Sequence, residues 1–306
     1  SRANDSLRKS LARLSSGNRI NSPADDAGGL AVAYKLNSKL NRSHAVVQNA
    51  QNSLSYLQVQ DSGLQTVGKI LDRMGELRTM AQDITKNTQD IENYSKEFIE
   101  LQSQLNQVKQ EKFNGISLFS SQGSTAGGTL IQQTGVQVTT SGGQVVTYEK
   151  YGRTLITHPS GVGTMGSISI NVVNLQFVLS IGTLATSGTT GVDLAGLDTT
   201  AGTGGINADG FITSILDVNV SQFSEAIERL ADMRAENGAE QNRVMNTIDL
   251  LQTNITNLEA AHGRIMDADI ALESTRFARH NVLVQASAAM TAQANQLTNV
   301  ALQLLG

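Results

Sequence analysis

The strongest limit on how this chain can fold is one long apolar stripe. Leu36, Leu40, Val47, Ala50, Leu54, Leu57, Leu64 and Leu71 fall on a single register of threes and fours, interrupted by Asp61 and Gly68. That is the repeat of an α-helix, not of a strand. The chain has only two prolines, Pro23 and Pro159, so nothing breaks a helix predicted from Ser22 to about Gln82. Such a helix is on the order of 90 Å long. It cannot bury its stripe against itself and needs partner helices along its length.

The sequence supplies two. A run predicted as helical from about Gln89 to Lys109 carries Ile91, Phe98, Leu101, Leu105 and Val108, and ends at the Asn114-Gly115 turn. From about Asn219 a heptad pattern begins at Phe223, Ile227 and Leu230. It passes through Arg234, Asn237 and Gln241 and resumes at Val244, Ile248, Leu251, Ile255 and Leu258. The polar middle fixes register at a cost in stability. The predicted rod core is Leu54, Leu57 and Leu64 facing Ile248, Leu251, Ile255 and Leu258.

Between these helical parts the text changes. Residues 120–210 hold 18 of the 28 glycines but only six of the 50 Asp, Glu, Lys and Arg residues. "GVQV" and "SISINVV" alternate as strands do, and "TTSGGQVV" reads as a hairpin around Gly142-Gly143. The predicted fold is mainly α: a long antiparallel helical coiled-coil rod formed by the N- and C-terminal parts, with a small β-rich central insert.

The two ends are the informative part. Leu7, Leu11 and Leu14 form a stripe on an N-terminal helix, and Gly17 stands where a left-handed C-terminal cap is wanted. Ser22-Pro23 then reads as a new helix start, with Asp25 at capping-box spacing and Asp26 against the helix dipole. At the other end, 281–306 is "NVLVQASAAMTAQANQLTNVALQLLG", without one Asp, Glu, Lys or Arg. Val284, Met290, Leu297, Ala301 and Leu304 give it an apolar face. Ten of its residues are Asn, Gln, Ser or Thr, an amide and hydroxyl load too high for a membrane span. A solvated helix normally has a charged face, so this one is expected to be covered by copies of itself or of the N-terminal segment. In an isolated chain it is predicted to be largely unfolded. An extended helical molecule with two adhesive ends is a self-assembling subunit.

Chemistry is not where this chain spends its residues. The absence of cysteine excludes a disulfide framework and thiolate sites, and a net charge of −4 gives no reason to expect a nucleic-acid partner. His44, His158, His262 and His280 match no metal-ligand spacing. "GVGTMG" (Gly161 to Gly166) fits a phosphate-loop pattern with no helix after it. "DADIALE" (Asp267 to Glu273) lacks calcium-loop spacing and reads as a helix start, with Asp267 capping and Asp269 in the first turn. No catalytic, cofactor-binding or metal-binding residue is assigned, and an enzyme is not expected.

Three long motifs then resemble one family, bacterial flagellin, the subunit of the flagellar filament. They are "LARLSSGNRINSPADDAGGLAVA" (Leu11 to Ala33), "FNGISLF" (Phe113 to Phe119) and "GRIMDADIALESTRFARHNVLVQASAAMTAQANQ" (Gly263 to Gln296). The resemblance implies a layered filament for swimming motility, exported without a cleaved signal and lying outside the bacterium. It implies an inner core from 1–21 and 268–306, a rod domain from 22–119 and 219–267, and an outer insert from 120–218. Residues 15–21 are then the linker between inner helix and rod, and 262–268 its return partner. Family members begin earlier, so the start of the inner helix is expected to be missing. The self-assembly helices are those carrying Leu7, Leu11, Leu14, Val284, Met290, Leu297 and Leu304.

The implied partners are further copies of the chain, an export chaperone, and the cap and hook-junction proteins. In some flagellins an animal innate immune receptor reads the segment resembling "LDRMGELRTMA", where Arg73 and Leu77 take the corresponding places. Gly75 and Gln104 depart from that pattern. The alternatives are a flagellin-like junction protein, or a filament-borne adhesin or glycan-binding surface on the insert. Ser/Thr-rich loops at 120–143 and 183–204 offer O-glycosylation sites.

Overall fold

The computed structural model describes residues 2–120, 131–139, 145–180 and 210–305, with side chains for 4–120, 150–180 and 210–297. The elements in order are helices α1 (Arg2–Ser16), α2 (Ala27–Ala81) and α3 (Thr88–Lys109), then strands β1 (Lys112–Phe113), β2 (Ile116–Ser117), β3 (Phe119–Ser120), β4 (Ile131–Thr139), β5 (Val145–Ile156) and β6 (Ser167–Asn174). Helices α4 (Leu175–Leu179), α5 (Val220–Met266) and α6 (Ile270–Leu305) complete the chain. They divide into two compact units, Val46–Leu250 and the joined ends Ser1–Ala45 with Leu251–Gly306.

In the first unit α2 and α5 run antiparallel. The pairing is read from contacts whose numbers rise on one helix and fall on the other: Leu57 and Gln60 meet Asn237, Asp61 meets Arg234, and Gly68 meets Leu230, with Arg78 meeting Val218 just ahead of α5. Leu57, Leu64, Val67, Leu71, Met74 and Leu77 of α2 are fully buried with Phe98 and Leu105 of α3. Phe223, Leu230 and Val244 of α5 join them, and Phe98 meets Phe223 edge to face at 6.2 Å. Each such side chain contributes about 2 kcal/mol of apolar burial. Of the predicted core, Leu57, Leu64, Ile248, Leu251 and Ile255 are buried, whereas Leu54 and Leu258 are only half-buried.

The two interruptions in the α2 stripe have causes. A Cβ at Gly68 would sit 3.2 Å from Leu230 Cδ2, so the missing side chain permits close helix approach. Asp61 accepts from Arg234 Nε at 2.9 Å and Nη2 at 3.3 Å, a two-pronged bond matched to the guanidinium edge. Helix α3 starts at Asn87, whose side chain accepts from Asp90 N–H while Asp90 reaches back to Asn87 N–H. Its Gln102 then bonds both backbone groups of Ile212 at 2.9 Å, holding the segment that leads into α5.

The insert forms one sheet in the order β3-β6-β5-β4, antiparallel except for the β3–β6 pair. The β4–β5 pairing fits the predicted hairpin; its tip around Gly142-Gly143, like the 183–204 loop and most of the 120–143 loop, lies outside the described residues. "GVGTMG" belongs to the β5–β6 connection, where a single 3-10 turn at Gly163–Met165 leads into a strand, so no helix N-terminus is present to hold a phosphate.

The polar middle of α5 exists to receive this sheet. Beyond β3, the outer edge of β6 has no strand neighbour among the described residues. Asn171 turns both backbone groups to that edge: its N–H donates to the Glu240 carboxylate at 3.0 and 3.1 Å, and its C=O accepts from Gln60 Nε2 at 3.2 Å. Its side-chain Nδ2 donates to Glu236 at 3.1 Å, Glu236 also pairs with Lys150, and Gln60 is steadied by Asn237 at 2.7 Å. A helix thus covers the open strand edge and satisfies it with side chains.

One consequence is a titration. Burial raises the Glu240 carboxyl from 4.5 to about 7, with the Glu236 charge adding to the rise, against the Asn171 N–H, Lys150 and Arg243. The folded chain therefore binds this proton more tightly than the unfolded one. The resulting stability is fully present below about pH 4.5 and is lost as pH rises to about 7. Discounted for solvent at a half-buried site, the loss is about 2 kcal/mol. Glu240→Gln is expected to match the parent near pH 4 and to exceed it by that amount near pH 8, read from urea midpoints across the range.

Candidate assembly surface

The joined ends are organised by a small hinge. Gly17 closes α1 with φ 72°, and its N–H donates to Arg13 C=O at 2.9 Å, the left-handed cap expected of it. The chain then forms an antiparallel bridge, Asn18 to Asp267. Arg19 N–H donates to Met266 C=O at 2.5 Å and Ala268 N–H to Gly17 C=O at 2.9 Å. The two linkers are therefore partners, with Ile20 buried beside them. Gly17→Val, a β-branched residue forced to positive φ, is expected to cost about 1–2 kcal/mol and to speed hydrogen exchange at Arg19 and Ala268.

Helix α2 begins later than the sequence suggests. Asp25 accepts from the N–H groups of Asn21 and Ser22 and from the Ser22 hydroxyl, and it pairs with Lys9 at 2.8 Å. Those bonds spend Ser22 and Asp25 on a turn, and Asp26 caps the helix instead by accepting from Gly29 N–H at 2.8 Å. Lys9 is the main reason the Asp25 carboxyl is held down at about 2, so this tie between α1 and the linker persists through ordinary pH. The C-terminal side needs the same correction. Asp267 ends α5, its N–H donating to Gly263 C=O at 2.7 Å, and Asp269 is the cap of α6, accepting from Leu272 N–H at 3.1 Å.

Helices α1 and α6 pack together. Because their linkers are bridged, they lie antiparallel, and 15 residues of α1 face 36 of α6. Ser10 and Glu273 are buried in this part. Leu7, Leu14 and Val284 are half-buried, Leu11 is exposed, and Met290 and Leu297 are 74% and 64% exposed. Leu304 lies outside the described side chains. Against the expectation of an unfolded segment, α6 is helical to Leu305. Its alanine-rich sequence has high helix propensity, and α1 pins its start. Val282 and Leu283 are exposed as well, so the uncharged length of α6 presents apolar groups in several directions. Covering one such side chain is worth about 2 kcal/mol, and a helix open on several sides is suited to more than one neighbour.

Arg73 and Leu77 do not share a surface. Arg73 is exposed and bonded to Glu97 at 2.7 Å and Glu76 at 3.1 Å, whereas Leu77 is fully buried and presents nothing to a receptor. The family resemblance named them together; the packing of α2 separates them. The histidines stay apart: His158 bonds Ser160 within its own turn, and His44 lies 3.7 Å from Glu259. Among the described residues no three His, Cys, Asp or Glu side chains gather as metal ligands, and no helix is long and apolar enough to cross a membrane. Sequence reasoning missed Gln60, Glu236 and Glu240, whose only signal was their place on helices with polar residues inside the apolar register, and Asn171, which stands in a strand and carried no signal.

Comparison with known proteins agrees with this arrangement. Residues 1–124 match the bacterial flagellin N-terminal helical region, and 220–305 match the bacterial flagellin C-terminal helical region. A flagellin of Halalkalibacterium halodurans is 30% identical over 298 residues, covering 97% of this chain and 91% of that protein. The flagellar filament 33 kDa core protein of Treponema phagedenis is 29% identical, covering 99% and 93%. A solved structure described as a flagellar hook-associated protein of Vibrio parahaemolyticus shares the fold, with a TM-score of 0.56 at 17% identity over 79% of this chain and 100% of that one. The motifs at both ends, the helical pairing and the insert position all agree: the chain belongs to the bacterial flagellin family.

Proposed function

We propose that this flagellin is a structural subunit that polymerises through α1 and α6 into the flagellar filament, outside the cell, and serves swimming motility. The observation that carries the reading is the open, uncharged length of α6, with Met290 and Leu297 mostly exposed. Residues 1–21 and 268–306 form the inner core, 22–119 and 219–267 the surrounding layer, and 120–218 the outer surface. The bridged linkers at Asn18 and Asp267 support a boundary between the first two layers. An export chaperone and the cap and hook-junction proteins are its partners on the way to that position. The chain has no catalytic role. Negative-stain electron microscopy of the purified protein, before and after adding ammonium sulfate and filament seeds, is expected to show helical filaments. Persistent monomers under every condition would remove the reading.

A further inference from the structure

Asn-Gly occurs twice in the chain, at Asn114-Gly115 and at Asn237-Gly238, and the two pairs stand in opposite surroundings. Asn114 and Gly115 form the two-residue tip between β1 and β2, where Phe113 pairs with Ile116. Both have positive φ, 50° and 76°, the type I′ geometry to which Asn-Gly is suited. Both are exposed, and a Cβ built on Gly115 would meet nothing within 4 Å. Asn237 is instead buried in α5. Its Nδ2 donates to Leu57 C=O at 3.2 Å and Gln60 Oε1 at 2.7 Å, and its Oδ1 accepts from Gln241 Nε2 at 2.6 Å. Gly238 lies in the middle of the same helix, its N–H part of the helical ladder.

That difference decides a reaction. The side-chain carbonyl carbon of an asparagine, Cγ, is open to attack by the backbone nitrogen of the next residue, most easily a glycine, which has no Cβ to crowd the nitrogen. The glycine nitrogen gives its proton to hydroxide and bonds to Cγ. The Cγ–Nδ2 bond breaks, ammonia leaves with a proton from water, and a five-membered imide remains. Water then opens the imide at one of its two carbonyls. Opening at Cγ restores the ordinary main chain with an aspartate. Opening at the asparagine's own main-chain carbonyl leaves isoaspartate, with the chain routed through the former side chain. The net change is one water in and one ammonia out.

We propose that Asn114 is a site of spontaneous deamidation, with water as co-reactant, and that α5 withholds Asn237 from the same reaction. The imide needs a main-chain twist that a closed type I′ turn does not hold, so the reaction passes through opening of the tip. Each strand there is two residues long, which makes that opening frequent. For Asn237 the same twist requires a break within a 47-residue helix and the loss of three side-chain hydrogen bonds. Isoaspartate adds a main-chain carbon to a tip of two residues. The turn then no longer fits its strands, and the bond from Leu118 N–H to Glu111 C=O at 3.2 Å behind it is weakened.

The full chain is aged at about pH 9, folded and in urea, then digested in acid and followed by mass spectrometry. Isoaspartate is scored by methylation with an isoaspartyl carboxyl methyltransferase. In the folded chain the peptide holding Asn114 is expected to gain one mass unit at least about tenfold faster than the peptide holding Asn237. In urea the two are expected to react at similar rates. Asn114→Gly, which suits positive φ and has no carboxamide, is expected to abolish the gain in its peptide and to keep the Leu118 N–H protected from hydrogen exchange after ageing, whereas the aged parent loses that protection. Melting curves establish that parent and variant are folded. A folded-chain Asn114 that stays unmodified while the urea sample reacts, or equal rates for the two asparagines in the folded chain, would overturn the proposal.

Discussion

Leu251→Asp should lower stability by about 3–5 kcal/mol, while Leu250→Asp, one residue away, should change it by less than about 0.5 kcal/mol. The contrast follows from position on α5. Leu251 lies on the buried side with 6% of its surface exposed, whereas Leu250 faces solvent at 61%. An aspartate at 251 loses the leucine's apolar burial, about 2 kcal/mol. It also brings a carboxylate into an apolar seam, where it must be desolvated or take up a proton. Urea unfolding followed by helical circular dichroism separates the two variants. Similar midpoints for both would mean that the register of α5 is wrong.

Deleting residues 281–306 should abolish polymerisation while leaving the midpoint of the remaining helices nearly unchanged. The reason is what the segment touches. Helix α1 has 15 residues and pairs in antiparallel fashion from the hinge end, so it is too short to cover the distal part of a 36-residue α6. The described side chains of this segment, those of 281–297, are mostly exposed within one chain and contribute little to its stability. If they form the contacts between copies, their removal takes away the apolar area that drives association. Thermal melting and electron microscopy of the same preparation read both effects. Normal filaments from the truncated chain would contradict the assembly account, and collapse of the whole melting transition would show that the tail supports the fold instead.

The helices were legible in the sequence because burial on a helix leaves a periodic mark. Leu57 and Leu64, and Ile248 and Leu251, are apolar at spacings that only one periodicity explains. Gly17 was legible for a related reason, since the position just past a helix favours the residue that tolerates positive φ. The helix starts were harder. Ser22 and Asp25 have the right spacing for a cap, but Asp25 is bound to Lys9, Asn21 and Ser22, and the cap passes to Asp26. Local spacing names candidates for a cap; competition among side chains chooses one.

Long-range partners leave no periodic mark at all. Asp61 and Asn237 announce themselves as polar residues in apolar registers, but nothing near them names Arg234 or Gln60. Asn171 sits in an ordinary strand, and its need for Glu240 and Gln60 arises only because one edge of β6 is open. For the assembly surface the sequence was more informative. A stretch of 26 residues without charge in a chain of this composition is unusual in itself. The exposure of Met290 and Leu297 gives that signal its physical content. The linker pairing of Asn18 with Asp267 was implied by the family resemblance alone, since the two residues are far apart in the chain.

The most direct test exploits the absence of cysteine. Met290→Cys places one thiol on α6 at a position 74% exposed within a single chain. Maleimide labelling of this variant is expected to be fast and complete in monomers. In filaments the same thiol is expected to be protected, with labelling restored when the filaments are depolymerised. Equal labelling in monomer and filament would place α6 on an open surface of the polymer and contradict its role as the inner assembly helix.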